Sequence, residues 1–338
     1  RPRRPRVEPQ AESLPVEIPP DRLYDDPVIK LKETLAKINI DGLVRADEPM
    51  SRHTTLEVGG PADLYVRPSS EADVRQVVHA AREAAAPVFV LGGGSNILVA
   101  DRGVRGVVMD MRGFDAVRQE GNRFVVGAGL PISDAAEGAV ERGLGGLHFL
   151  YSMPGSVGGA VWMNARCYGS SIADVLEEVR LVNETGESEV YQARLDDFSY
   201  KSSPFQRRRA VITQTTFRLA PADPAALRAE METYYTDRES KGHFAAPSAG
   251  SVFKNDRAFG KPTGALIDSL GLRGRQIGGA RISDRHANII INTGGARAED
   301  IRRLIELVEA RVRDELGLRL EREILLVGDW EAEHAVTG

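Results

Sequence analysis

The chain has one cysteine, Cys167, in 338 residues. A single thiol cannot close an intramolecular disulfide and supplies no set of metal ligands, so no metal site is expected and a reducing, cytoplasmic setting is favoured. No apolar run approaches the roughly 20 residues of a membrane span. The net charge is −5, so no basic surface advertises nucleic acid. Any phosphate-bearing ligand must then be gripped locally, by loops and a few chosen cations. The opening Arg1-Pro2-Arg3-Arg4-Pro5-Arg6 has no apolar segment behind it and does not read as a signal peptide. It also starts without Met, as a piece of a longer product would. Glycine, by contrast, is plentiful: 34 residues, and they cluster.

Residues 1 to about 25 are rich in Pro, Arg and Glu with few apolar anchors, which predicts a disordered tail. Val28, Leu31, Leu35 and Ile38 recur at helical spacing and predict a short amphipathic helix before residue 40. Strands are expected at 62–66, 88–91, 107–111, 124–126, 179–182, 210–219, 287–292 and 324–327. Helices are expected at 70–85, 132–142, 225–239, 264–269 and 298–316, the first capped by Ser70 with Asp73 as its partner. The break at Pro221-Ala222-Asp223-Pro224 suggests a domain boundary. The pattern reads as an α+β protein: a tail and short helix (1–45), a cofactor domain in two subdomains (46–113 and 114–222), a smaller α+β substrate domain (223–328) and a C-terminal tail (329–338). A chain of this length exceeds one compact core.

Two glycine passages stand out. Gly92-Gly93-Gly94-Ser95-Asn96 follows an apolar strand and lets backbone N–H groups approach a phosphate closely. It lacks the Gly-Lys-Ser/Thr ending of a P-loop and the G-x-G-x-x-G spacing of a Rossmann turn. Gly155-Ser156-Val157-Gly158-Gly159 lies some 60 residues on. Two such loops can clamp one long, phosphate-containing cofactor.

These residues carry a family resemblance. Arg52-His53-Thr54-Thr55 with Val58-Gly59-Gly60-Pro61-Ala62-Asp63, and Leu91 through Val99, resemble the FAD-domain motifs of the UDP-N-acetylmuramate dehydrogenase (MurB) family. So do Gly127-Ala128-Gly129 and Met153 through Ala160. Pro247 through Asn255, Ile277 through Ala280, and Leu320-Glu321-Arg322-Glu323 are similar to its substrate-domain motifs. The resemblance covers about residues 46–328. It implies an FAD-binding fold of the vanillyl-alcohol-oxidase type, with FAD held non-covalently and NADPH as co-substrate. The implied reaction reduces UDP-N-acetylglucosamine enolpyruvate to UDP-N-acetylmuramate, a step of peptidoglycan synthesis. Arg52, Thr54, Gly92, Gly93, Gly94, Ser95, Asn96, Ile97, Gly127, Pro154, Gly155, Ser156, Gly158 and Gly159 would contact the cofactor. The subclass resembled lacks an extra tyrosine-bearing loop, and the chain is expected to act as a monomer.

The resemblance makes Ser251 the proton donor and Glu323 the acid that polarises the substrate carboxylate. A hydroxyl is a poor acid, so Ser251 needs positive charge nearby, and Lys254 is the candidate in sequence. Tyr200, Asn255 and Gln276 are candidate substrate ligands. The family usually carries Arg after the tyrosine of Tyr200-Lys201-Ser202-Ser203-Pro204-Phe205-Gln206. Here Lys201 supplies the charge without the planar fork, and Arg166 is a second cation that can hold the carboxylate. Arg207-Arg208-Arg209 reads as a solvated turn, Cys167 as a small buried side chain, and His286, Tyr234 and Tyr235 as packing residues. Two alternatives stay open at this level: another flavin oxidoreductase of the same fold, and a non-catalytic FAD-binding regulatory relative.

Overall fold

The computed structural model of the protein describes residues 29–31, 33–34 and 40–330. The expected tail before residue 25 lies outside them, as do Val28, Leu35 and Ile38 of the expected first helix and residues 331–338. Residues 29–31 and 33–34 are helical, and Leu31 is fully buried in the core of the first sheet.

Five strands open the ordered body: β1 (Leu43–Pro49), β2 (Pro61–Arg67), β3 (Val88–Leu91), β4 (Ile97–Val99) and β5 (Val104–Asp110). Four of them form a sheet in the order β1-β2-β5-β3, with β1 antiparallel and the rest parallel. The crossover between β2 and β3 is α1 (Glu71–Glu83), which buries Val74, Val77 and Ala81 on one face. As the sequence predicts, Ser70 and Asp73 form its capping box. Strand β1 leaves no such signal, because its residues are mostly exposed and Asp47, at φ 53°, interrupts the alternation.

The second sheet is antiparallel throughout. It comprises β6 (Val117–Glu120), β7 (Arg123–Gly127), β8 (Leu176–Asn183), β9 (Ser188–Gln192) and β10 (Ala210–Arg218), in the order β9-β8-β10-β7-β6. Helices α2 (Ile132–Glu141) and α3 (Val157–Trp162) pack on it around Phe124, Ile132, Leu150, Val161 and Phe217. The glycine passage expected as a loop turns helical at Val157. Ser156 decides this: it is the N-cap, and its Oγ accepts from Gly159 N at 3.2 Å.

The last part contains α4 (Pro224–Ser240), β11 (Ser248–Ser251), α5 (Thr263–Asp268), β12 (Gln276–Ile277), β13 (Ala280–Ile282), β14 (Ile289–Asn292), α6 (Ala298–Leu316) and β15 (Leu325–Val327). Its antiparallel sheet runs β11-β14-β13-β12. Helix α6 ends at Gly317, which takes the left-handed conformation of a helix stop. Both ends of this part are tied to the rest of the molecule. Leu227 and Met231 of α4 pack with Val140 of α2, and β15 pairs in parallel with β4, Leu325 opposite Ile97. Leu56, Val58 and Leu98 enter the same core as α6. The third part is therefore seated directly against the first glycine loop.

Candidate active site

A cavity of about 1260 Å³ runs from the edge of β3 and the end of α1, past both glycine passages, to Ser251 and Glu323. The first glycine loop joins β3 to β4 and touches the second through bare backbone. A Cβ on Gly93 would stand 2.5 Å from Gly155 Cα. Gly94 sits at φ 64°, where a Cβ would stand 2.0 Å from the His53 carbonyl oxygen. Ser95 Oγ donates to the Pro154 carbonyl at 3.2 Å, which closes the contact. Among the described residues, the N–H groups of Gly93, Gly94 and Ser95 donate to no other group of the chain. Consecutive unspent N–H groups on a glycine loop make an anion-binding nest. The expected FAD fits this cradle: the nest suits its pyrophosphate, and the cavity has room for a dinucleotide.

Behind the loop, the segment from His53 to Leu56 is pinned on several sides. Thr55 N donates to the Gly94 carbonyl at 3.1 Å, and Thr55 Oγ1 donates to the Ser248 carbonyl at 2.7 Å. His53 Nε2 lies 2.8 Å from Glu48 Oε1, and Arg112 Nη2 lies 2.6 Å from His53 Nδ1. Arg112, Arg67 and Tyr65 converge on the fully buried Asp110. Burial alone would raise the Asp110 carboxyl, but hydrogen bonds from Arg112 and Tyr65 hold it below the usual carboxylate range. A carboxyl with a depressed native pKa stabilises the fold above its unfolded pKa, and that contribution is lost as pH falls through the native value. Asp110→Ala strands three partners and is expected to cost about 3 kcal/mol at neutral pH. Urea denaturation of the FAD-loaded protein measures it, and an unchanged midpoint would remove Asp110 from the support of this loop.

At the other end of the cavity, Lys201 Nζ lies 2.5 Å from Glu323 Oε1, and both side chains are mostly buried, at 16% and 13% exposure. Lys201 comes from the two-residue turn between Ser199 and Ser202, whose backbones exchange hydrogen bonds at 3.1 Å. It adopts φ 54°, a strained conformation for a residue with a Cβ. Gln206 Nε2 holds its carbonyl at 3.1 Å, and Asn164 Nδ2 holds the Ser199 carbonyl at 2.8 Å. Glu323 lies just before β15; its carbonyl accepts from Asn96 Nδ2 at 3.0 Å. The glycine loop and the acid are thus tied together.

The structure brings Gly92 through Ile97, Pro154, Gly155, Ser156, Gly158, Gly159, Arg166, Tyr200, Lys201, Ser251, Asn255 and Glu323 to one cavity. Arg166 is exposed there and has no ion pair among the described residues. Other expected site residues are not on the wall. Arg52 is exposed, Thr54 is buried with its hydroxyl on the Val58 carbonyl, and Gly127 gives way to Ala128. Gln276 donates to the Gly278 carbonyl. Lys254 pairs instead with Glu321 at 2.6 Å, which corrects its expected place beside Ser251. Arg208 and Arg209, expected as a solvated turn, are exposed but also border the cavity.

Cys167 is on the wall as well. Its thiol donates to the Phe149 carbonyl at 2.9 Å, and burial pushes it up to about 11. His286 packs away from the cavity, as expected. Arg238 and His243 are wall residues that the sequence does not single out. Burial, with Arg238 close by, pulls His243 down to about 4, so it enters the site as a neutral ring.

Two family models match the chain: an FAD binding domain over residues 62–190, and the C-terminal domain of UDP-N-acetylenolpyruvoylglucosamine reductase over residues 242–327. The reductase of that name from Heliobacterium modesticaldum is 41% identical over 283 residues, 83% of this chain and 90% of that protein. Its namesake from Shouchella clausii is 38% identical, with 86% and 92% covered. The crystal structure of UDP-N-acetylenolpyruvylglucosamine reductase from Thermus caldophilus superposes with a TM-score of 0.72 at 32% identity, covering 86% of this chain and all of that one.

Proposed function

Because this chain belongs to the UDP-N-acetylenolpyruvoylglucosamine reductase family, we propose that Ser251, Glu323 and Lys201 carry its chemistry at the reacting end of the cavity. The protein is an FAD-dependent oxidoreductase that uses NADPH to reduce UDP-N-acetylglucosamine enolpyruvate to UDP-N-acetylmuramate, in peptidoglycan precursor synthesis. FAD, when bound, supplies the hydride chemistry; the chain supplies position, charge and a proton. We further propose that it works as a monomer in the cytoplasm; the single cysteine, Cys167, favours a reducing compartment. Among the described residues no helix is long and apolar enough to cross a membrane.

The observation that carries the assignment of roles is the Lys201–Glu323 pair on the same wall as Ser251. Hydride addition to the alkene builds negative charge next to the substrate carboxylate. Lys201 provides a fixed positive charge for it, held in place by its turn and by Glu323. Glu323, hydrogen-bonded through Lys201, meets the carboxylate, and the Ser251 hydroxyl gives a proton to the adjacent carbon. Tyr200, Asn255 and Arg166 line the same end as substrate contacts.

Anaerobic stopped-flow absorbance tests this reading: NADPH first, then the enolpyruvyl substrate. Lys201→Met is expected to leave the first phase nearly intact and slow the second by about 10²- to 10³-fold, as for a lost oxyanion contact. Lys201→Arg should retain much of the second phase, since the charge stays. If Lys201→Met runs at the wild-type rate while Arg166→Met does not, the role belongs to Arg166.

A further inference from the structure

The lysine at the reacting end is aimed by a part of the chain that lies off the cavity wall. Lys201 carries its charge on a flexible stem, without the planar fork that lets an arginine align itself on a carboxylate. Its direction must therefore come from its backbone and from whatever holds that backbone. At φ 54° the Lys201 backbone is in the left-handed region, which a residue with a Cβ keeps only where its surroundings over-determine it. The constraint comes from the C-terminal end of α3.

Helix α3 ends at Trp162, and the last carbonyls of a helix have no partner within it. The Trp162 carbonyl accepts instead from two side chains that follow Lys201: Ser203 Oγ at 2.6 Å and Gln206 Nε2 at 3.1 Å. Gln206 Nε2 also donates to the Lys201 carbonyl, at 3.1 Å, which uses both hydrogens of its amide. One side chain thus ties the end of a helix to the peptide on which the lysine turns. Met163, next in the chain, places its sulfur 3.9 Å from Gln206 Nε2 and 3.7 Å from Asn96 Nδ2. Asn96 Nδ2 in turn donates to the Glu323 carbonyl. Both members of the Lys201–Glu323 pair are therefore held from behind, by two amides that meet on one sulfur. Trp162 and Met163 line the cavity, whereas Gln206 is half-buried behind it. Gln206 can act on a bound molecule only through Lys201.

We propose that Gln206 is a positioning residue for the reduction of the enolpyruvyl substrate: it locks the strained turn onto the end of α3 and so fixes where the Lys201 charge stands. Without its amide the Lys201 peptide is released toward the ordinary regions of φ, and the ammonium moves off the place where negative charge develops. A displacement of about 1 Å at such a group can cost on the order of a hundredfold in rate. The inference rests on the role given to Lys201 above, and a double variant separates the two.

The test uses FAD-loaded protein in two measurements, anaerobic stopped-flow absorbance and isothermal titration. Gln206→Met keeps the length of the side chain and removes both N–H donors. It is expected to leave flavin reduction by NADPH within a few fold and to slow reoxidation by the enolpyruvyl substrate about ten- to a hundredfold. Gln206→Lys, whose ammonium can donate to the same two carbonyls, should recover most of that rate. In titrations Gln206→Met should weaken UDP-N-acetylmuramate, which has the carboxylate, by about tenfold. It should leave UDP, which lacks one, unchanged, and that also shows the variant to be folded. In a Lys201→Met background, Gln206→Met should slow reoxidation no further, because its effect passes through the lysine. Full additivity in that double variant, or equal weakening of UDP and UDP-N-acetylmuramate, would make Gln206 a structural part and overturn the inference. Wild-type reoxidation in Gln206→Met beside a slow Lys201→Met would overturn it too, while leaving the role of Lys201 standing. A slow Gln206→Met beside a wild-type Lys201→Met would remove the role of Lys201 and the inference with it.

Discussion

Ser251→Ala is expected to leave flavin reduction by NADPH within a few fold of wild type, while reoxidation by the enolpyruvyl substrate falls by about 10²- to 10⁴-fold, the range of a lost general acid. The two phases separate because only the second needs a proton delivered to carbon. The structure makes the variant a clean one. Ser251 ends β11 opposite Ile289, and its hydroxyl has no hydrogen-bond partner among the described residues. Alanine therefore removes an acid without orphaning a buried group. Anaerobic stopped-flow absorbance reads both phases in one experiment. Equal slowing of the two would show that Ser251 shapes the site rather than protonating the product. Glu323→Gln should follow the same split, because Glu323 meets only the second substrate; an unchanged second phase would strike it from the site.

Gly93→Val is expected to yield colourless protein that takes up no FAD. The reason lies in the contact between the loops. A Cβ at residue 93 would point at the backbone of Gly155, 2.5 Å from its Cα and 2.8 Å from its carbonyl carbon, and neither loop has a flexible side chain there that can give way. The loops must part, and with them the nest of N–H groups formed by Gly93, Gly94 and Ser95. The absorbance ratio of flavin to protein after gel filtration measures the loss, with far-UV circular dichroism to show that the fold survives. Stoichiometric yellow protein would mean that the loops do not act as one cradle.

The parts of this molecule that follow from short stretches of chain were legible in the sequence. Val88 to Asn96 is an apolar strand running into glycine, and Ser70 with Asp73 is a cap written within four residues. Helix α6 carries its 3.6-residue stripe and its stopping glycine together. The edge strands β1, β6 and β9 were not legible, because a strand with solvent on most of its residues shows no apolar alternation. Lys254 shows how spacing misleads. It is three residues from Ser251, but the strand ends at Ser251 and the chain bends at Val252, so Lys254 turns to Glu321 while Asn255 shares the cavity with Ser251. Arg238 could not be found from its neighbours in sequence. Cationic residues are ordinary near the end of a helix, and only the fold brings Cys167 and Tyr168 beside it from elsewhere in the chain.

The pairing of β4 with β15 sets a clock on the assembly of this enzyme. Ile97 leaves the ribosome some 228 residues before its strand partner Leu325. At the usual rate of about 5–20 residues per second, the wait is roughly ten to fifty seconds. Until then the strand that follows the glycine loop has an open edge, and Asn96 lacks the Glu323 carbonyl that receives its amide. The contacts behind the cradle therefore form only once Glu323 and Leu325 have been made, and a chain cut short before Glu323 is expected to hold FAD poorly.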